Sequence, residues 1–248
     1  MSLVTIIMPY FKKEFFLAKS IKSILNQTYK DFEIILINDE ISYRSVELLE
    51  NISNKDNRIK VLTNKKNLGA GESRNMGINN SKGEYIAFCD CDDLWAPEKL
   101  DKQIKFMKKN NINFCHTSFD IINKNEDIIA SRKAKSKIYF KELRKSCDIG
   151  LSTVIIKKTI FDNTQFKFAS LKTKEDFVLW LKIAKAGIEI IGLDEKLSTW
   201  RKISNSLSSS TIQKLFDGYK VYRNYLNYGK IKSFMFLIVL SVSFILKK

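Results

Sequence analysis

Histidine is nearly absent from these 248 residues: His116 stands alone. Any catalytic scheme needing two imidazoles is excluded, and a single one reads as structural. Proline is confined to Pro9 and Pro97, and no internal repeat or low-complexity linker interrupts the chain. Cysteine is scarce as well. Cys89, Cys91, Cys115 and Cys147 form no disulfide framework, and with no second pair or histidine set at ligand spacing they are poor zinc ligands. Reduced thiols in a cytosolic compartment suit them better. Acidic residues fall far short of basic ones, 27 against 43, which leaves a net charge of +16. The imbalance is concentrated at the end: from Lys196 to Lys248, ten basic residues face one acidic, Asp217. Such a tail calls for an anionic partner, a lipid surface or a nucleic acid.

Long apolar runs are missing too. Residues 1–8 read as a short apolar strand rather than a signal peptide. Residues 234–246 are uncharged and strongly apolar, with Lys230 and Lys232 ahead and Lys247 and Lys248 behind. A helix of that length reaches roughly 20 Å, short of the ~30 Å hydrocarbon core. Two readings stand for it: an interfacial helix on one leaflet, or a terminal helix buried on the domain.

What is present is alternation. Strand-like runs at 4–8, 33–37, 59–62 and 85–89 are each followed by helix-like spacing, at 15–26, 45–51, 71–79 and 99–108. This predicts an α/β fold with an open, mostly parallel sheet covered on both faces. Strands are expected again at 114–119, 152–156 and 188–193, a helix at 175–185, a Ser-rich loop at 204–210, and helices at 212–225 and from 230 on. Right-handed crossovers would put the parallel strands' C-terminal ends along one edge, where α/β proteins bind ligands.

Three loops carry polar groups to that edge. Pro9-Tyr10 follows the first strand, Asn38-Asp39-Glu40 the second, and Asp90-Cys91-Asp92-Asp93 the fourth. Carboxylates so crowded raise one another's pKa unless a cation separates them. Mg²⁺ or Mn²⁺ would do so and keep positions open for phosphate; a solvated turn capping the helix after Pro97 is the other reading. An aromatic ring, a lone carboxylate and a metal-binding cluster can together hold a nucleotide. Tyr10 would border the base and Asp39 accept its ring N–H. Arg74, just inside the helix after Asn67-Leu68-Gly69-Ala70-Gly71, would add a cation.

These segments, in this order, resemble the GT-A glycosyltransferases of family two, bacterial enzymes that assemble O-antigen and capsular polysaccharide. The resemblance runs through Val4-Thr5-Ile6-Ile7-Met8-Pro9-Tyr10, Ser23-Ile24-Leu25-Asn26-Gln27-Thr28-Tyr29, Ser73-Arg74-Asn75-Met76-Gly77 and the acidic cluster with Leu94-Trp95. It continues at Thr173-Lys174-Glu175-Asp176 and at Trp200-Arg201 with Ser204-Asn205-Ser206-Leu207-Ser208, covering about residues 3–210. It implies a catalytic domain over 1–210, with a nucleotide-sugar half (1–100) and an acceptor half (101–210), and a basic helical appendage over 211–248. Pro9, Tyr10 and Asp39 would then meet the uracil, Arg74 support the nucleotide, Asp90 touch the ribose, and Asp92 with Asp93 ligate Mn²⁺ or Mg²⁺. Asp176 would be the general base with Glu175 beside it, and Arg201 would approach the diphosphate. One departure stands out: the family's Asp-Gly-Ser is Asp39-Glu40-Ile41-Ser42 here, so the turn must form without glycine's positive φ.

The resemblance implies an inverting, metal-dependent transfer of a hexose, glucose or galactose, from a UDP-sugar, leaving a β-linkage. The basic, apolar-tipped tail suits a lipid-linked acceptor such as a sugar-diphosphate-undecaprenol, reached at the cytoplasmic face of the inner membrane. Other classes make different demands. A metal-dependent nuclease or phosphotransferase acting on nucleic acid would interleave basic and aromatic residues around the acids, whereas the excess charge lies in the tail. A dinucleotide-dependent oxidoreductase would need a Gly-rich first turn where Pro9-Tyr10-Phe11 stands. A non-catalytic membrane-associated adaptor would show no sugar transfer.

Overall fold

The computed structural model describes residues 2–203 and 210–246. Four parallel strands build the first half: β1 (Val4–Tyr10), β2 (Phe32–Asn38), β3 (Ile59–Thr63) and β4 (Tyr85–Phe88). They are joined by α1 (Glu14–Leu25), α2 (Tyr43–Ser53) and α3 (Ala70–Asn79). After β4 come the short β5 (Leu94–Trp95), α4 (Lys99–Lys109), β6 (Phe114–Ile122), β7 (Ile128–Arg132), β8 (Lys137–Ile138) and α5 (Phe140–Leu143). A 3₁₀ turn (Leu151–Thr153), β9 (Ile155–Lys157), α6 (Glu175–Lys185) and β10 (Ile190–Arg201) complete the domain. The strand order is β3-β2-β1-β4-β9-β6-β10-β5, with β7 on β6 and β8 on β10. Because β9 is antiparallel to both β4 and β6, the direction is restored, and β6 and β10 run with the first four strands.

The period-2 pattern explains why the sheet is covered twice. Ile7, Ile35, Ile37, Ile86 and Phe88 join α6 in one core, around Trp180. Val4, Ile6, Met8, Ile34, Leu36 and Ala87 join α1 and α4 in the other. All four cysteines are free thiols, and His116 is buried with neither ring nitrogen hydrogen-bonded.

The second half departs from expectation in two places. The strand foreseen at 152–156 is a 3₁₀ turn followed by β9. β10 runs on to Arg201, past two register shifts between Leu193 and Ser198. The basic tail, α7 (Thr211–Lys220), a π-helical turn (Val221–Tyr225) and α8 (Lys230–Ile245), is helical and packs on the domain. Val221, Tyr222, Leu226 and Leu240 belong to the same core as Trp180. Among the described residues, no helix is long and apolar enough to cross a membrane. The serine-rich segment 204–209 lies outside the described residues.

Candidate active site

β4 ends at Phe88, and the acidic turn beyond it is held from three sides. Asp93 N–H donates to Asp90 O at 3.0 Å, closing the turn. From α1, Ser20 Oγ donates to the carbonyl of Asp93. From the 3₁₀ turn, Ser152 Oγ accepts the Asp90 N–H (3.0 Å) and donates to Asp93 Oδ2 (2.5 Å). From the end of β10, Arg201 N–H donates to Asp93 Oδ1 (3.0 Å) and its Nε to Asp92 O (3.0 Å). Asp93, 2% exposed, is therefore the internal bolt of the turn. Both its oxygens have protein partners, which argues against the metal-ligand role expected for it. Burial, then the charges of Asp92 and Asp90, push its pKa well up.

With Asp93 turned inward, Asp90 and Asp92 project from the turn. Asp92 Oδ2 lies 3.0 Å from Lys13 Nζ, and its pKa is raised by burial and then by Asp90. Lys13 enters from the loop after β1. Its sequence signal is the Lys12-Lys13 pair that follows Tyr10-Phe11. Asp90 Oδ1 takes Arg74 Nη2 at 2.6 Å, and Arg74 Nη1 reaches Glu175 Oε1 at 2.6 Å. The guanidinium, 3% exposed, lies 5.4 Å from the Phe168 ring centroid. Burial disfavours its charge, but the two carboxylates outweigh that and keep it protonated. Arg74 thus buttons the acidic turn of the first half to the acid pair of the second.

Glu175 and Asp176 open α6 beyond Lys174, whose φ of +64° puts it in the left-handed region. Burial raises Glu175 to about 7 against the pull of Arg74, with Asp176 adding to the rise. Asp176 is half-buried and also raised, chiefly by burial; Arg74 and Lys174 oppose the shift and Asp90 reinforces it. Its Oδ1 accepts the Phe177 N–H at 2.7 Å. α3 comes close because Gly71 has no side chain: a Cβ there would sit 2.6 Å from Ala169 O and 3.3 Å from Glu175 Cβ.

Tyr10 ends β1 and Asp39 follows the last residue of β2. Asp39 Oδ1 accepts from Asn64 Nδ2 (2.7 Å) and Leu68 N–H (2.8 Å), and Oδ2 from Gly69 N–H (2.8 Å). It orders the loop that leads into α3, where Gly69 has φ +84°. Asp39 is 2% exposed and does not line the cavity beside Tyr10, which argues against the base contact expected for it. The turn after Asp39 forms without positive φ. Instead, Glu40 N–H donates to Asn38 Oδ1 (3.1 Å), and Ser42 Oγ caps α2 through Ser45 N–H (3.1 Å). Tyr10 lines a cavity of about 570 Å³ with Lys12, Glu14, Phe15, Glu40, Arg44 and Ser45. Burial, then Glu40, pushes its phenol up to about 12, so the O–H stays a donor. Pro9 pairs with Ile37, beyond the point where β1 and β4 part at Ile7 and Phe88.

Arg201 departs from its expected role. It is 3% exposed, bonded to Asp92 O, Asn123 O (3.4 Å) and Glu126 Oε1 (3.0 Å), with its guanidinium 4.8 Å from the Phe16 ring centroid. It fastens the acidic turn to β10 and the 123–126 turn instead of facing a diphosphate.

A doubly covered, mostly parallel sheet with an acidic turn after β4 and an acid pair heading α6 has the GT-A architecture. The chain belongs to glycosyl transferase family 2, whose description matches residues 5–166. It is 38% identical over 214 residues to the Escherichia coli UDP-Glc:alpha-D-GlcNAc-diphosphoundecaprenol beta-1,3-glucosyltransferase WfgD, spanning 86% of this chain and 82% of WfgD. It is 32% identical over 215 residues to the E. coli enzyme of the same description, WfaP, spanning 87% and 83%. Among solved structures, S. aureus TarS 1-349 in complex with UDP-GlcNAc superposes with a TM-score of 0.73 at 19% identity, covering 96% of this chain and 70% of that one.

Proposed function

We propose that this glycosyltransferase moves glucose from UDP-glucose to an N-acetylglucosamine carried on a polyprenyl diphosphate, with inversion to a β-linkage. The descriptions of WfgD and WfaP favour glucose over galactose and supply the acceptor class. The observation that carries the reading is the bridge from Asp90 through Arg74 to Glu175. With the acidic turn and the acid pair heading α6 one side chain apart, a displacement at an anomeric carbon between them is supported.

Each residue then has a task. The cavity beside Tyr10 takes the nucleoside, with Asp39, itself buried, ordering the loop next to it through Leu68 and Gly69. Asp90 meets the ribose. Asp176, raised in pKa by burial, takes the acceptor hydroxyl's proton as attack proceeds. The Phe177 N–H holds that carboxylate, and the Arg74 charge favours its ionised form.

The residues present fit a divalent cation that enters with the substrate. Among the described residues, no group of three or more acidic, histidine or cysteine side chains forms a complete cage. A Mg²⁺ or Mn²⁺ site built from one or two carboxylates plus substrate phosphates needs none. Asp92 is the carboxylate suited to it: half-buried, crowded by Asp90 and already facing one cation, Lys13. Such an ion, when bound, would neutralise charge on the departing diphosphate.

The acceptor's lipid is reached from the tail. Ile212 and Phe216 on α7, and Ile231, Phe234, Met235, Ile238 and Ile245 on α8, are exposed, with Lys214, Lys220, Lys230 and Lys232 on the same helices. Apolar side chains among lysines favour the surface of an anionic bilayer, here the cytoplasmic leaflet.

The deciding experiment incubates purified protein with UDP-glucose or UDP-galactose and a synthetic N-acetylglucosaminyl-diphosphate lipid, with Mn²⁺, Mg²⁺ or chelator. A β-glucosylated lipid, lost with chelator, is expected. No transfer from either donor in any metal would refute the proposal.

A further inference from the structure

The loop ahead of the acid pair is tied down by the tail. Asp217, the one acidic residue after Lys196 in the sequence, sits on α7 and is 1% exposed. Its Oδ2 accepts the Thr173 N–H (3.0 Å), the Thr173 Oγ1–H (3.0 Å) and Gln213 Nε2–H (2.9 Å). Thr173 is itself buried. Between it and Glu175 stands only Lys174, in the left-handed conformation that non-glycine residues seldom adopt. The next tail residue closes over that same lysine: a Cβ on Gly218 would lie 2.9 Å from Leu237 Cδ1 and 3.5 Å from Lys174 Cε. On its far side the loop is held by Arg74 through Glu175. A strained residue clamped from both sides, one step before a catalytic pair, persists only where its surroundings over-determine it.

We propose that Asp217 is a positioning residue for sugar transfer. From the C-terminal helices it grips Thr173 and so fixes the turn at Lys174 that directs Glu175 and Asp176 toward the donor. A buried carboxylate accepting three hydrogen bonds is a stiff anchor, since charge-assisted bonds are roughly twice as strong as neutral ones. The nucleotide cavity is lined by β1, α1 and the β2–α2 region, none of which Asp217 touches, so donor binding should be insensitive to it. The inference rests on Asp176 being the base.

The test measures turnover and UDP affinity for Asp217→Ala, Asp217→Asn and Asp176→Asn. Loosening the loop by a fraction of an ångström to an ångström should lower kcat about ten- to hundredfold in Asp217→Ala, with the Kd for UDP within twofold of wild type. Asp217→Asn, which keeps an acceptor for the Thr173 N–H, should recover most of the loss. Should Asp217→Ala fail to fold, Thr173→Val removes one bond of the clamp and should show the same split at smaller size. Wild-type kcat in the folded clamp variant beside an inactive Asp176→Asn overturns this inference alone. A parallel fall in kcat and UDP affinity overturns it too, because that is general destabilisation. Turnover retained by Asp176→Asn refutes the base assignment underneath.

Discussion

Asp92 and Asp93 are neighbours in sequence and opposites in environment. Asp93 is sealed among Ser152, Arg201 and Ser20, whereas the Asp92 carboxylate is half-buried and faces Lys13. Asp93→Ala should therefore strip a buried hydrogen-bonding centre and lower stability by about 1–3 kcal/mol, visible as a drop in Tm. Asp92→Ala should leave Tm within a few degrees and abolish transfer; a Tm loss in Asp92→Ala equal to that of Asp93→Ala would erase the distinction. The acid pair makes a second prediction. A base works only as a carboxylate, and burial raises both members, so kcat should fall as pH drops through a value above the ordinary carboxylate range. That apparent pKa belongs to the pair. Glu175→Gln removes the neighbouring negative charge and leaves Arg74 to favour the Asp176 carboxylate, so the acid limb should move to lower pH. A limb that stays put or rises would show that the two do not titrate together. At this scale the sequence announced which residue types gather but not which way they face. Asp93 and Arg201 read as site residues because their position in the motif matched, and their inward turn depends on partners about 59 and 108 positions away. Lys13, Ser152 and Asp217 carry no motif of their own.

Elements were legible where local periodicity and burial agree. β1 to β4 and the helices between them follow from apolar runs alternating with helical spacing, and α6 from its buried stripe, Phe177 to Leu181 with Ile183. The short β5 and β8 exist only because β10 offers them a partner, and β10 is obscured by Asp194-Glu195-Lys196 and its register shifts. Close packing of elements is also invisible without coordinates. Gly71 reads as the first residue of a helix, with nothing to show that it is where α3 meets the Ala169 carbonyl and Glu175. Gly71→Ala should force that contact apart, cost about 1–3 kcal/mol, and drag Arg74 away from Glu175, lowering kcat together with Tm. Gly69→Ala meets no atom within 4 Å and is opposed by its backbone, φ +84° with ψ 164°, so about 1–3 kcal/mol should be lost with turnover kept. Equal losses of kcat in the two variants would mean the α3–α6 contact has no bearing on the site.

The tail has one side for each of the two readings the sequence offered, a buried terminal helix and an interfacial one. On α8, Ser233 and Leu240 are buried and Phe236 packs against Tyr222 and Tyr228, while Phe234, Ile238 and Ile245 are exposed. The two sides should separate experimentally. Leu240→Ala removes core packing and should cost about 2–5 kcal/mol of stability. The pair Phe234→Glu and Ile238→Glu removes apolar surface worth about 1.5–3 kcal/mol per side chain when buried. It should weaken binding to anionic vesicles at least about tenfold, with Tm and turnover on a detergent-solubilised acceptor unchanged. Raising salt should weaken the wild type as well, because the lysines on α7 and α8 act through a screened field. Vesicle binding that survives both the double substitution and high salt would place the lipid contact elsewhere on the molecule. Loss of turnover on the soluble acceptor would mean that the outward face serves the catalytic site through α7 and Asp217 rather than the bilayer.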